Sequence, residues 1–321
     1  MMTNYNDNLY FDQYERLLID LSDAIWAQDK DRANEVRRLM EGPERELTDE
    51  MMERLDGLAA DLYMLSGKEL FERTDPAEAV PARLGVELRQ VWDNKDWERV
   101  LVTLRKRMPF LSEEHRAYLR AVAYEGLGQV RSAFRFMDYA SQLNPADPVY
   151  RFYVLDYLVK LGESDEAVGR ARQYITDTES APAVLIEAAV TLVQTSRGQP
   201  NTVFQSRAAE AIPVLTQVLN NAVGLDGTPR EVIALAYVTM GFCLQGLGDM
   251  DTADVAYRLA LKVDPSNDVA QNGLRAVLED RAHVKSLSFR DTTVPTAASD
   301  IKMSNTSFTM VKANQIWALA I

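Results

Sequence analysis

Apolar residues recur at intervals of three and four along most of this chain, and that spacing predicts helices nearly throughout. Tyr10, Tyr14, Leu17, Leu18, Leu21 and Ile25 share one face of a helix over about 9–27. A second helix is predicted from Asp29 to Met40. It should stop before Gly42-Pro43, because proline disfavours helix in the residue ahead of it. Thr48 is placed to cap a third, with Met51, Leu55, Leu58, Leu62 and Leu65 on one side and Gly67 at its end. Arg73-Thr74-Asp75-Pro76 reads as loop. Beyond Pro81, Leu84, Leu88, Val91 and Trp92 form the inner side of a helix, and Asn94-Lys95-Asp96 turns the chain. Trp97, Val100, Leu101 and Leu104 begin the return helix, which Pro109 stops. Ser112 is placed to cap the next, and Glu113 and Glu114 in its first turn complement the helix dipole.

A longer period overlies the short one. Gly128 and Ala133 recur as Gly162 and Ala167, each 34 residues on, and Leu247-Gly248-Asp249 with Ala253 repeats the unit once more. The proline turn Asn144-Pro145-Ala146-Asp147-Pro148 is echoed by Asp264-Pro265-Ser266-Asn267. A fixed period of this size marks a repeat architecture. Its units are 114–147, 148–181 and 234–267. Small residues at Ala121 and Ala133 allow two antiparallel helices to approach closely, Tyr124 and Met137 fill the gap, Gly128 makes the turn and Pro145 ends the second helix. The unit 148–181 keeps Leu155, Leu158, Gly162, Ala167 and Ala171 in the same slots.

This pattern resembles the tetratricopeptide repeat. The family spacing is met loosely at Ala117, Arg120, Ala121 and Tyr124, and well at Ala133, Met137 and Pro145. It is met best at Tyr237, Met240, Gly241, Leu244, Gly248, Ala253, Tyr257 and Pro265. The resemblance implies an all-α fold: a right-handed superhelical array of antiparallel helix pairs, a TPR-like α-solenoid. Degenerate N-terminal helices and a disordered C-terminal tail flank it. The expected organisation is a disordered start over 1–8, degenerate repeat-like helices over 9–80, the TPR-like array with a closing helix over 81–285, and a flexible tail over 286–321.

The unit before the last departs from the pattern. Ala188, Ala189 and Leu192 suit its first helix, but Thr195-Ser196-Arg197-Gly198-Gln199-Pro200-Asn201 replaces the short turn. The resulting insertion, over 196–206, reads either as drift or as a partner-contacting loop. Pro213 is expected to kink or restart the second helix. A second long loop runs from Asn220 to Gly227, and Thr228-Pro229-Arg230-Glu231 reads as a capping box. Val269, Leu274, Val277 and Leu278 mark a closing helix ending near Lys285. The tail is rich in Ser, Thr and Ala, yet ends in the apolar Ile316-Trp317-Ala318-Leu319-Ala320-Ile321.

Charge narrows the partners. With 35 Lys and Arg against 48 Asp and Glu, the formal charge is −13, and an acidic chain repels phosphate backbones. No nucleic acid partner is expected. Between Arg99 and Arg151, however, nine basic residues outnumber five acidic ones. Pairing with the acidic N-terminal helices accounts for this most simply; a site for an acidic partner is the alternative. The single cysteine, Cys243, excludes an internal disulfide and reads as a small buried hydrophobe. There is no basic-then-apolar leader and no membrane-length apolar run, so a cytoplasmic location is expected. His115 and His283 stand far apart without partners at ligand spacing. No metal, cofactor-binding or catalytic motif is present, and Gly126-Leu127-Gly128 lies between helices rather than after a strand.

The resemblance also implies a binding face. In this family the first helix of each pair lines the concave side. The positions so placed are His115, Tyr118, Val122 and Glu125; Val149, Phe152, Asp156 and Val159; Ile186, Val190 and Val193; and Leu235, Val238, Phe242 and Gln245. Relatives that hold a terminal carboxylate place Asn where this chain has Leu119, Tyr153, Glu187 and Thr239, which argues against such a clamp. The apolar residues are either internal packing or a groove for an amphipathic helix or extended apolar segment. The apolar chain end is a candidate occupant, giving self-association through the tail. Three function classes follow. The first is a non-enzymatic scaffold or adaptor binding another protein or peptide, and the second a chaperone or peptide-sensing regulator of the same repeat type. The third is an all-helical enzyme with a carboxylate site in the concave face.

Overall fold

The computed structural model describes residues 9–65, 81–106, 111–221 and 228–287. The expected start over 1–8, the end of the third helix at Gly67 and the tail beyond Leu287 lie outside the described residues. So does most of the loop from Asn220 to Gly227. Among the described residues there are fourteen α-helices and no strand. In chain order they are α1 (Leu9–Trp26), α2 (Lys30–Glu44), α3 (Asp49–Met64), α4 (Pro81–Asp93) and α5 (Trp97–Leu104). Then follow α6 (Glu113–Gly126), α7 (Val130–Leu143), α8 (Pro148–Leu161), α9 (Ser164–Thr176) and α10 (Pro182–Gln194). The last are α11 (Asn201–Asn220), α12 (Arg230–Gly246), α13 (Met250–Val263) and α14 (Asp268–Leu287). The chain divides into two units, Met1–Val184 and Leu185–Ile321, with the boundary inside α10.

Five helix pairs are joined by the same turn. In α1–α2, α4–α5, α6–α7, α8–α9 and α12–α13 the turn contains one residue with left-handed backbone. These are Gln28, Lys95, Gly128, Gly162 and Gly248, with φ of 56°, 55°, 78°, 73° and 87°. In each, that residue's N–H bonds the carbonyl three positions back, at 2.8–3.1 Å. The following N–H bonds the carbonyl five back: Asp29 to Ala24, Asp96 to Val91, Gln129 to Tyr124, Glu163 to Leu158 and Asp249 to Leu244, at 2.9–3.0 Å. This is the Schellman arrangement, which satisfies the last carbonyls of one helix while reversing the chain. The next residue is the N-cap of the return helix, and where it is Asp its side chain makes the capping bond. Asp29 accepts from Arg32 N at 3.0 Å, Asp96 from Arg99 N at 3.3 Å and Asp249 from Thr252 N at 3.1 Å.

Within the helix pairs and between neighbouring helices, glycines and alanines make room for aromatic rings. Ala121 and Ala133 are fully buried, and the Tyr124 ring stacks on Phe136 at 5.3 Å. A Cβ on Gly126 would stand 2.3 Å from Trp97 Nε1, at the start of the preceding helix α5. A Cβ on Gly246 would stand 2.3 Å from Phe204 Cε1, on the preceding helix α11. The two glycines occupy the same place in their pairs, two residues before the left-handed glycine. In the second unit Tyr257 of α13 is seated between two glycines, Gly241 of α12 and Gly273 of α14. Its hydroxyl donates to Gln245 Oε1 at 3.1 Å.

Helices α1–α3 attach to the first unit's repeats through carboxylates. Asp61 of α3 is fully buried and accepts from Arg105 Nε and Nη2 at 3.1 and 2.9 Å. It also accepts from Arg120 Nε at 3.3 Å and from the Tyr124 hydroxyl at 2.7 Å. Gly57 clears the space for this cluster, since a Cβ there would meet Arg105 Nη2 at 2.6 Å. Glu15 of α1, also buried, accepts from the backbone N–H and the hydroxyl of Ser132 in the first turn of α7. An anion there complements the helix dipole. Asp23 pairs with Arg135, whose guanidinium also lies over Trp26. Most of the basic stretch is spent within the chain. Arg99, Arg105, Lys106, Arg120, Arg131, Arg135 and Arg151 each pair with a carboxylate of the chain itself.

Four local expectations are corrected. Helix α2 runs through Gly42-Pro43 to Glu44. The clash that proline imposes on its predecessor involves that residue's Cβ, which glycine lacks. Helix α11 is likewise unbroken at Pro213, so of the kink or restart expected there the restart does not occur. Pro213 and Ala209, whose carbonyl loses its partner, are both exposed, so water can serve that carbonyl. Ser112 sits at the N-cap of α6 but makes no capping bond; its hydroxyl is 2.6 Å from His115 Nδ1 instead. The capping box at Thr228 does not form. Pro229 is the N-cap of α12 and supplies its carbonyl to Val232 and Ile233.

Candidate protein-interaction site

The candidate residues occupy one register. Tyr118 of α6 and Phe152 of α8 stand 34 residues apart, as do Val122 and Asp156. Each falls at the same point of the first helix in its pair. In the second unit Ile186 and Val190 of α10 continue that numbering, and Leu235, Val238 and Phe242 follow on α12.

Burial divides them. Tyr118, Val122, Phe152, Ile186, Val190 and Val238 are buried, at 6% exposure or less. Asp156, Leu235 and Phe242 are partly exposed. In the first unit Tyr118 is brought to Tyr150 and Tyr153, at 5.7 and 6.2 Å between ring centroids. Phe152 meets Tyr153 edge-on at 5.9 Å, and Tyr153 stacks on Tyr157 at 5.9 Å. The Tyr118 contacts join α6 to α8, so Tyr118 acts as packing between successive pairs, whereas Phe152 meets a ring of its own helix. Burial lifts the hydroxyls of Tyr118, Tyr153 and Tyr157 above the usual phenol range, so they stay neutral and can donate hydrogen bonds.

At the edge of this aromatic floor lies a polar group. Lys160 Nζ stands 2.6 Å from Glu125 Oε1 and 2.8 Å from Asp156 Oδ2, and the Tyr157 hydroxyl donates to Glu125 Oε2 at 2.9 Å. Burial raises the Asp156 carboxyl above its ordinary value, against the opposing pull of Lys160. Lys160 and Tyr157 were not among the expected site residues. The available signal was the i, i+4 spacing of Asp156 and Lys160 on one helix.

In the second unit, the apolar helix α10 carries buried Glu187 and Thr191, and Thr195 just past its end is buried as well. Thr195 donates to the Thr191 carbonyl at 2.7 Å and accepts from Arg207 Nη1 at 2.8 Å. The Phe242 ring meets Phe204 edge-on at 5.6 Å. Cys243 is fully buried, and burial pushes its thiol up to about 12, so it stays protonated and inert.

A cavity of about 270 Å³ lies between α4 and α5, lined by Glu87, Gln90, Asn94, Asp96, Arg99 and Val102 among others. Its charged groups are internally paired, Glu87 with Lys106 and Asp96 with Arg99. Among the described residues no group of His, Cys, Asp and Glu is arranged to hold a metal ion. Of the helices described, none is long and apolar enough to cross a membrane.

Helix pairs of this size, joined by one recurring turn whose left-handed residues Lys95, Gly128 and Gly162 follow one another at 33 and 34 residues, make this a tetratricopeptide-like helical-repeat protein. Among solved structures, similarity is found to a thermophilic TPR protein of Thermus thermophilus. The identity is 20% and the TM-score 0.39, over 55% of this chain and 90% of that one. The TPR domain of P58(IPK) is similar at 12% identity and a TM-score of 0.29, over 86% of this chain and 80% of that one. No family model matches the sequence, and no curated protein matches it.

Proposed function

We propose that this chain is a non-enzymatic interaction module that holds a segment of another protein along the first helices of its pairs. The observation that carries the reading is the register. Equivalent positions of α6, α8, α10 and α12 hold Tyr118, Phe152, Ile186 and Val238, and then Val122, Asp156, Val190 and Phe242. All but Asp156 are apolar or aromatic. Repetition of one side-chain class at one register gives the first helices of each unit an apolar floor, on which the partly exposed positions can meet a linear segment. Phe242 and Asp156, with Leu235 one turn ahead of Val238 on α12, are the positions a partner reaches first, since they are partly exposed.

The test is quantitative co-purification of the tagged protein from its native cells, compared between wild type, Leu235→Glu and Phe242→Glu. A bona fide partner is recovered with wild type and lost with both variants, while their helix content is unchanged. Equal recovery from all three would overturn the reading.

A further inference from the structure

The first helices of the two units differ in charge. Helices α6 and α8 carry Arg116, Glu125, Arg151, Asp156 and Lys160, all at least partly exposed. Helix α12 has no charged residue from Val232 to Gly246. Its partly exposed Leu235 and Phe242 stand seven positions apart with buried Val238 between them, which is the spacing of one helix face. Phe204 of α11 is also partly exposed and meets Phe242 edge-on at 5.6 Å, so the apolar ledge crosses two helices of the second unit.

Such a ledge discriminates against a charged or strongly polar occupant, whose groups would lose water and gain no partner. It suits an apolar segment that is itself uncharged. The chain holds one. Past α14 come 34 further residues, 288–321. Beyond Lys312 the stretch 313–321 has no charged side chain, and seven of its nine residues are apolar, Ile316, Trp317, Leu319 and Ile321 among them. Reach does not prevent the contact. The 29 positions from Leu287 to Ile316 can span about 100 Å when extended, whereas α12 is about 25 Å long. Tethering also makes the encounter intramolecular, so a modest apolar contact competes with a partner in solution.

We infer that 313–321 occupies the ledge of Leu235, Val238, Phe242 and Phe204 in the same molecule, and that a partner must displace it. The ledge is part of the face read above as an interaction site, and the assignment rests on that reading.

A fluorescent peptide of residues 313–321 is titrated with full-length protein and followed by anisotropy. Wild type is compared with Trp317→Glu and Leu319→Glu, and with each of these combined with Phe242→Glu. The variants within the segment free the ledge and should bind the peptide about tenfold more tightly than wild type. Adding Phe242→Glu should abolish the gain, with circular dichroism checking that the chain still folds. Independently, a photoreactive residue at Leu235 should crosslink within one molecule to 313–321, which trypsin releases as a single peptide by cutting after Lys312. Equal binding by wild type and the segment variants, or crosslinks formed only between molecules, would overturn the assignment. The interaction reading would still stand if partner recovery is lost with Leu235→Glu and Phe242→Glu. Were the crosslink to form while Trp317→Glu recovers no partner from native cells, the ledge would serve the segment alone and the interaction reading would fall instead.

Discussion

Replacing Asp61 with asparagine is the sharpest perturbation of the first unit. The substitution keeps the shape of the side chain and removes its charge. Asp61 is fully buried and is the shared partner of Arg105 and Arg120, whose side chains are 21% and 6% exposed. Asparagine can still accept from the Tyr124 hydroxyl, and Arg120 Nη2 keeps its bond to the Leu104 carbonyl at 3.1 Å. Neither guanidinium keeps a counter-charge. Removing one partner of a buried ion pair costs about 3–5 kcal/mol, because the other charge is left uncompensated. With two such charges the upper part of that range is expected, or a fall in melting temperature of roughly 10 °C for a unit of this size. Three of the four tryptophans, Trp26, Trp92 and Trp97, lie in the first unit, so urea unfolding followed by tryptophan fluorescence reports on it. Asp23→Asn, which breaks a half-exposed pair with Arg135, should cost under about 1 kcal/mol and serves as the control. An Asp61→Asn protein within about 1 kcal/mol of wild type would refute the assignment of Asp61 as the charge that fastens α3 to α5 and α6.

Other outcomes follow from the turns, the glycines and the buried acid. Lys95→Gly and Gln28→Gly each relieve a left-handed side-chain residue and should stabilise by about 0.5–1 kcal/mol; denaturant midpoints below wild type would contradict the turn geometry. Gly126→Ala and Gly246→Ala drive a methyl into Trp97 and Phe204 and should destabilise by about 1–3 kcal/mol in the same assay, whereas an unchanged midpoint would mean these contacts are slack. Burial raises the Glu15 carboxyl, against its bonds to Ser132, so the folded chain holds that proton to higher pH than the unfolded chain. Stability therefore falls as pH rises from the ordinary glutamate value through the raised one. Glu15→Gln should flatten that slope, and an unaltered pH profile would count against it.

The helices and three of the five shared turns were legible because glycine at 128, 162 and 248 is the residue that left-handed backbone favours. The turns at Gln28 and Lys95 were not recognisable as the same object, since nothing in a glutamine or lysine codes for positive φ. What fastens α1–α3 was hidden for another reason. Glu15 meets Ser132 across 117 positions, and Asp61 meets Tyr124 across 63, and no local spacing announces such pairs. For the candidate site, the 34-residue period places Tyr118, Phe152 and Ile186 in one register. It does not separate a residue that packs between repeats from one that waits for a partner. Both uses demand the same apolar side chain on the same helix face. Only the fold distinguishes buried Tyr118 from partly exposed Asp156. Only the fold shows that the basic stretch from Arg99 to Arg151 is mostly spent on the chain's own carboxylates.

The proposed use of the first helices is tested most directly by site-specific photo-crosslinking in native cells. A photoreactive residue is placed in turn at Asp156, Leu235 and Phe242, and at Glu166 of α9 and Asp251 of α13 on the exposed sides of second helices. The account predicts that the three first-helix positions trap the same discrete protein and that the two outer positions do not. Crosslinks of equal yield from all five positions, or from the outer pair alone, would contradict it.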